Sequence, residues 1–311
     1  MNYRGPYRPA PPASNDRPST GRRNTFVALA ATLLVLAAVL TFAAVRTGPV
    51  PASGFLAGMP HGQSKQAAGP VADSAPGAAP HTAVDPAAGI QKIVAENPDH
   101  RIGVAITDTA GGTPQTYGDD AAYAAASTAK ILTAAAYYHL VETGEKSLDA
   151  PLGSFDAAFQ IQAMVNTSSD DSWLLLMRDI GYPELTAYAT SLGIDYDPEE
   201  NLLTPQDMAL LLQRLATGKL LDAGHTAELL GYMQQTNDED LIPAALDPGI
   251  TVHHKYGVVE GYVHDAALLE AGGHTYAVVI YTWGPDDADS DARIDLIHQL
   301  TQEITGALFG L

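Results

Sequence analysis

Strand-type and helix-type periodicity are segregated along this chain, and that segregation leaves few folds open. Residues 101–120, RIGVAITDTAGGTPQTYGDD, read as a strand, a Gly-Gly turn and a short second strand. The next strand patterns come only after residue 250. There TVHHKYG, EGYVHDAALLEA and HTYAVVIYTW read as three antiparallel strands, with Gly272-Gly273 as a hairpin turn. Residues 155–236 look helical throughout, broken by short turns. Strands distant in sequence are therefore expected to share one sheet. The pattern predicts an α+β fold of the α/β sandwich kind: an antiparallel sheet from the start and end of the chain, flanked by helices, with an inserted all-helical subdomain.

Local signals support this order. AAGIQKIVAENP (87–98) puts Ile90, Ile93 and Val94 on one helical face and stops at Pro98. AAASTAKILTAAAYYHLVETG (124–144) is apolar nearly all round, so it is expected to be the central buried helix, ended by Gly144 at C′. TPQDMALLLQRLATGKLL opens with Thr204 as N-cap, Pro205 at N1 and Asp207 at N3, and Gly218 punctuates its end. DSDARIDLIHQLTQEITGALFG closes the chain as an amphipathic helix.

The first part of the chain is not domain material. Residues 1–24 are rich in Pro and Arg with almost no apolar content and read as a disordered tail. TFVALAATLLVLAAVLTFAAV (25–45) carries no charge and is about the length that spans a bilayer. Arg22 and Arg23 precede it, which by the positive-inside rule leaves the N-terminus in the cytoplasm. A retained single-pass anchor is expected. The alternative, a cleaved signal peptide and a secreted protein, is less suited to so long a run without a small-x-small cleavage site. Residues 46–85 are Ala, Gly, Pro, Ser and His and read as a flexible tether, so the folded part is expected at 86–311.

No cysteine is present, which removes disulfides, thiolate nucleophiles and cysteine metal sites. From residue 86 onward 9 Lys plus Arg stand against 33 Asp plus Glu, a net charge of −24. Such a surface repels nucleic acid and anionic lipid and suits a soluble monomer.

Three short stretches can carry chemistry. Ser127 and Lys130 lie one helical turn apart on one face. A serine hydroxyl needs a base to become a nucleophile, and a lysine serves only when burial or a nearby cation lowers its pKa. The alternative is an N-cap serine and a solvated lysine. Lys130 is, however, the only charge between Asp120 and Glu142, which suits a buried position. The second stretch, MVNTSSDDSWLLLMRDIG (164–181), sets Ser168, Ser169, Asp170 and Asp171 ahead of an apolar helix and reads alone as an N-cap cluster. The third, HHKYGVVEGYVHDAALL (253–269), has Lys255 as the only cation of the final strands, two residues before Gly257, which would let a ligand backbone approach.

Taken together, Ser-x-x-Lys, a Ser-rich helix start and Lys-x-Gly on a strand resemble the class A β-lactamases and penicillin-binding proteins, over essentially all of 86–311. The resemblance implies that Ser127 is acylated and that Lys130 accepts its proton. It implies that Ser168 passes a proton to the leaving nitrogen. Ser168-Ser169-Asp170 is preferred to a frame starting at Ser169 because Met164 then precedes it by four residues. Asp170 stands where the family has a substrate-binding Asn. Lys255-Tyr256-Gly257 matches Lys-Thr-Gly, with Lys255 on a substrate carboxylate, and Val258 and Ser127 N–H groups form the oxyanion hole. His264 falls near a cationic carboxylate-binding position; it is either that or a packed strand histidine. Neither metal nor cofactor is implied. Substrates are β-lactams or wall peptides, and a wall peptidase or a non-catalytic wall-peptide-binding domain are alternatives. Three departures stand out: Tyr256 for a small hydroxyl residue, Asp170 for Asn, and a short DYDPEENLL loop (195–203) without the family's Glu-x-x-Leu-Asn pattern. Glu199 and Glu200 in that loop read as exposed acids rather than a deacylating base.

Overall fold

The computed structural model describes residues 84–285 and 290–310. In chain order its elements are α1 (Ala87–Glu96), β1 (Arg101–Asp108), β2 (Gln115–Gly118), β3 (Tyr123–Ala124), a 3₁₀ turn (Ala126–Ala129), α2 (Lys130–Glu142), β4 (Pro151–Leu152), β5 (Phe155–Asp156), α3 (Ala157–Asn166), α4 (Asp170–Ile180), α5 (Tyr182–Ser191), β6 (Leu202–Leu203), α6 (Pro205–Ala216), α7 (Ala223–Tyr232), a 3₁₀ turn (Pro243–Ala245), β7 (Thr251–Val259), β8 (Tyr262–Ala271), β9 (His274–Trp283) and α8 (Ser290–Phe309). The sequence-distant strands do share one sheet, in the order β2-β1-β9-β8-β7, with every pairing antiparallel.

Alternation along the strands gives the sheet two apolar faces. Ile102, Val104, Val278 and Ile280 pack with Ile90 of α1 and Leu296, Leu300 and Ile304 of α8. Ala105, Ala277, Val279 and Tyr281 face the other way, toward the helices of the middle of the chain. At their centre lies α2, with residues 130–138 all buried, as its all-round apolar sequence requires.

The helical middle of the chain is inserted between β2 and β7 of this sheet: α6 lies on the sheet against β1 and β9, while α3, α4, α5 and α7 surround α2 or one another. A Cβ on Gly103 of β1 would come within 2.9 Å of Pro205 Cγ, so this glycine lets α6 seat closely. Glu260, read as strand, forms with Gly261 the two-residue turn between β7 and β8, both at positive φ (41° and 82°). Among the described residues no helix is long and apolar enough to cross a membrane; residues 1–83, which hold the expected tail, anchor and most of the tether, lie outside them.

Candidate active site

Ser127 is not a helix cap. It sits inside the 3₁₀ turn that precedes α2, and no side-chain hydrogen bond caps either element. The preceding Ala126 has φ 49°, in the left-handed region that an L-residue occupies only when its surroundings impose it. The loop that the sequence reading discounted supplies part of that constraint. Asn201, itself at φ 53°, accepts from the Ala125 N–H at 2.8 Å through its carbonyl, and its Nδ2 donates to the Ala126 carbonyl at 3.2 Å. Sequence reasoning missed Asn201 because its role lies in backbone contacts 75 residues away, which no local pattern reveals.

Lys130 begins α2 with its side chain fully buried. Its Nζ donates to the Ser168 carbonyl at 2.7 Å, to Ser168 Oγ at 3.3 Å and to Asp170 Oδ1 at 2.6 Å. Among the described residues it makes no hydrogen bond to Ser127. Burial lowers the lysine pKa, and the hydrogen bond and charge of Asp170 act against that. Ser168, at φ 57°, turns its carbonyl and hydroxyl to the lysine. Ser169 caps α4 by accepting from the Ser172 N–H. Thus Ser168 and Asp170 face the lysine, while Ser169 serves the helix.

The edge strand β7 runs past the Ser127 turn. A Cβ on Gly257 would lie 2.9 Å from Ser127 N, 3.0 Å from Ala126 Cβ and 3.1 Å from the Ala125 carbonyl. The close approach expected of a ligand is therefore made by the chain's own Ser127 turn. The His254 N–H points away from β8, to the Met233 carbonyl, and the alternation of an antiparallel strand turns the Val258 N–H to the same outer edge.

The two β7 side chains expected to meet substrate are engaged by the chain itself. The Lys255 side chain is fully buried, with Nζ folded back on the Tyr256 carbonyl at 3.1 Å and over the Tyr256 ring at 3.8 Å. Burial and the charge of Lys130 bring its pKa down to about 7. Tyr256 donates its hydroxyl to Asn237 Oδ1 at 2.9 Å and does not line the cavity.

His264 is a packed strand histidine rather than a carboxylate-binding cation. Its ring stacks on Tyr281 at 4.2 Å and is fully buried. Nδ1 accepts from the Thr282 N–H at 3.1 Å, which leaves Nε2 as the donor to the Ala124 carbonyl at 3.0 Å. That is the neutral ring, and burial brings its pKa down to about 4. His254, by contrast, lies between two carboxylates. Burial opposes its protonation, but the charge and hydrogen bond of Asp265 and the contact with Glu239 raise its pKa to about 9. Asp265 also accepts from the Ile242 N–H, so the cluster ties the segment before β7 to the sheet.

A cavity of about 420 Å³ opens beside the turn. Ser127, Ala126 and Asn201 line one part of it, and Asp170, Trp173, Leu174, Met177, Val258 and Val259 the rest. Glu199 and Glu200 are exposed and do not line it.

A family model described as the beta-lactamase enzyme family matches residues 85–158 and 160–308. The beta-lactamase CTX-M-8 of Citrobacter amalonaticus is 24% identical over 243 residues, which cover 66% of this chain and 83% of that protein. Toho-1 of Escherichia coli, also a beta-lactamase, matches with the same identity and coverage. Among solved structures, an ancestral (GNCA) class A beta-lactamase superposes with TM-score 0.66 at 24% identity over 72% of this chain and 100% of its own. PBP-A superposes with TM-score 0.64 at 24% identity over 71% of this chain and 95% of its own. At this identity the structural likeness is one of fold.

Proposed function

The chain belongs to the beta-lactamase enzyme family, of the class A type, and from that premise we propose that it is a serine hydrolase that forms an acyl-enzyme on Ser127. The observation that carries this reading is convergence. Ser127 with Lys130, Ser168 with Asp170, and β7 with Gly257 and Val258 come from three distant parts of the chain and meet around one turn, where Ser127, Asp170 and Val258 line one cavity. In this reading Ser127 Oγ attacks an amide carbonyl, and the Ser127 and Val258 N–H groups stabilise the oxyanion. Lys130 accepts the serine proton once neutral and passes it, through Ser168 Oγ at 3.3 Å, to the leaving nitrogen. The resting structure has no Ser127–Lys130 hydrogen bond, and such contacts commonly tighten only when substrate is bound. The substrate is a β-lactam or a D-Ala-D-Ala-like wall amide. One of the solved relatives is a PBP-A variant captured as an acyl-enzyme complex with penicillin G, which makes penicillin the natural first probe.

Intact mass before and after incubation with penicillin G tests the assignment. An adduct that Ser127→Ala removes supports it, and one that persists in Ser127→Ala sinks it. A second reading, a wall-peptide-binding domain without turnover, is favoured by one observation: Lys130 is engaged by Asp170 rather than by Ser127. It predicts binding of such peptides and no adduct with any acylating probe.

The location is part of the same proposal. Residues 25–45 hold the domain on the outer side of a membrane, and 46–85 tether it. Protease added to intact cells then releases a soluble domain. A protected domain, or a mature N-terminus just after residue 45, would overturn this.

A further inference from the structure

The cavity beside Ser127 has one charged residue in its wall, and that residue is acidic. Asp170 places its side chain 83% exposed at the cavity, with Oδ1 on Lys130 and no hydrogen bond to Oδ2 among the described residues. The two cations nearest the site do not line it: Lys130 lies beneath Asp170 and Lys255 is folded onto Tyr256, both fully buried. His264 is neutral and buried. Besides the polar, uncharged Ser127 and Asn201, the wall is apolar, with Trp173, Leu174, Met177, Val258 and Val259, of which Leu174, Val258 and Val259 are exposed at 37%, 54% and 39%. A substrate entering this cavity meets a carboxylate oxygen and an apolar rim, with no cation presented to it by the wall.

We propose that Asp170 sets the substrate charge at this site, selecting amides that carry an ammonium group beside an apolar portion and disfavouring those that carry an additional carboxylate there. The inference rests on the serine hydrolase reading and names the substrate class of that site. An ammonium meeting Oδ2 gains a charge-assisted hydrogen bond, and a carboxylate in its place is repelled. Water and salt screen an exposed carboxylate, so the expected span between the two is about tenfold in affinity at low salt, and less at high salt. Asn at this position would keep an oxygen acceptor for Lys130 while removing the carboxylate charge that the cavity presents.

The test measures binding without chemistry. Three penicillins share a phenyl side chain and differ in the α-substituent, which is an amino group, a hydrogen or a carboxylate. Their binding to Ser127→Ala is followed by calorimetry and by tryptophan fluorescence, to which Trp173 in the cavity wall and Trp283 both contribute. Affinity should fall in that order, with about tenfold between the ends. In Ser127→Ala with Asp170→Asn the three should agree within about twofold, and with Asp170→Glu the order should persist. A flat or reversed order in Ser127→Ala, the same order after Asp170→Asn, or no binding of any of the three overturns the proposal. Failure of the hydrolase reading shows separately, as the absence of an adduct on the unsubstituted chain.

Discussion

Lys130 Nζ lies 2.6 Å from Asp170 Oδ1, and the pair joins the start of α2 to the start of α4 across the site. A lysine held by a carboxylate is a poor base, because the ion pair favours the protonated form while burial favours the neutral one. Asp170→Asn removes the charge and lowers the Lys130 pKa further. Below the lysine pKa the neutral fraction therefore rises once that carboxylate charge is removed. Acylation by the penicillin with the uncharged side chain should therefore be faster at pH 6–7 in Asp170→Asn, with the rising limb of its pH–rate profile at lower pH. An unmoved limb would mean that Lys130 is not the base.

Gly257→Ala tests how tightly β7 constrains the nucleophile. The added methyl would lie 2.9 Å from Ser127 N and 3.0 Å from Ala126 Cβ, so the turn must move. Overpacking of this kind costs about 1–3 kcal/mol. Since the atoms displaced include a proposed oxyanion donor, acylation should fall by more than tenfold while circular dichroism stays unchanged. Normal acylation would show that the turn can shift without loss.

The order of layers was legible because periodicity carries it. Alternating strands and the all-round apolar α2 state how much of each element is buried, and Thr204, Pro205 and Gly218 mark the ends of α6 as observed. What the sequence does not carry is direction at the site. Asp170 and Lys130 are 40 residues apart, and nothing local says that one bonds the other. Lys255 read as a cation free to meet substrate, yet an edge-strand lysine can curl onto its neighbour's ring as readily as into a cavity. His264 and His254 differ in charge only because one meets backbone groups and the other two carboxylates. Those are tertiary facts, and the spacing of the histidines does not contain them.

The His254–Asp265–Glu239 cluster gives a pH-dependent contribution to stability. The His254 pKa is about 9 when folded and 6.5 as the ordinary value, so the folded state holds the proton more tightly. Its contribution is full below pH 6.5 and is lost as pH rises through about 9. The shift corresponds to about 3 kcal/mol, to order of magnitude. His254→Asn should therefore destabilise less at pH 9.5 than at pH 6, by an amount of that order. Comparing the variant with the parent at each pH cancels the opposite trend of Lys255, whose pKa burial and Lys130 bring down to about 7. Equal destabilisation at both pH values would show that His254 folds as the neutral ring.

Turnover separates a hydrolase that releases its product from one that stays acylated. Hydrolysis of an acyl-enzyme needs a base beside the attacking water. Asp170 is the only carboxylate lining the cavity, and it is bonded to Lys130. Glu199 and Glu200 lie outside the cavity and are exposed, and the loop that carries them meets the site through Asn201 instead. Asn201 cannot take a proton from water. A missing base is typically worth 10²–10⁴-fold, or roughly 3–5 kcal/mol of barrier. If Ser127 is acylated, time-resolved mass measurements should show a burst equal to the enzyme present, then a slow steady state. Glu199→Gln with Glu200→Gln should leave both phases unchanged. Rapid turnover without a burst would refute this, and a loss of that turnover in the double variant would identify one of the two acids as the base.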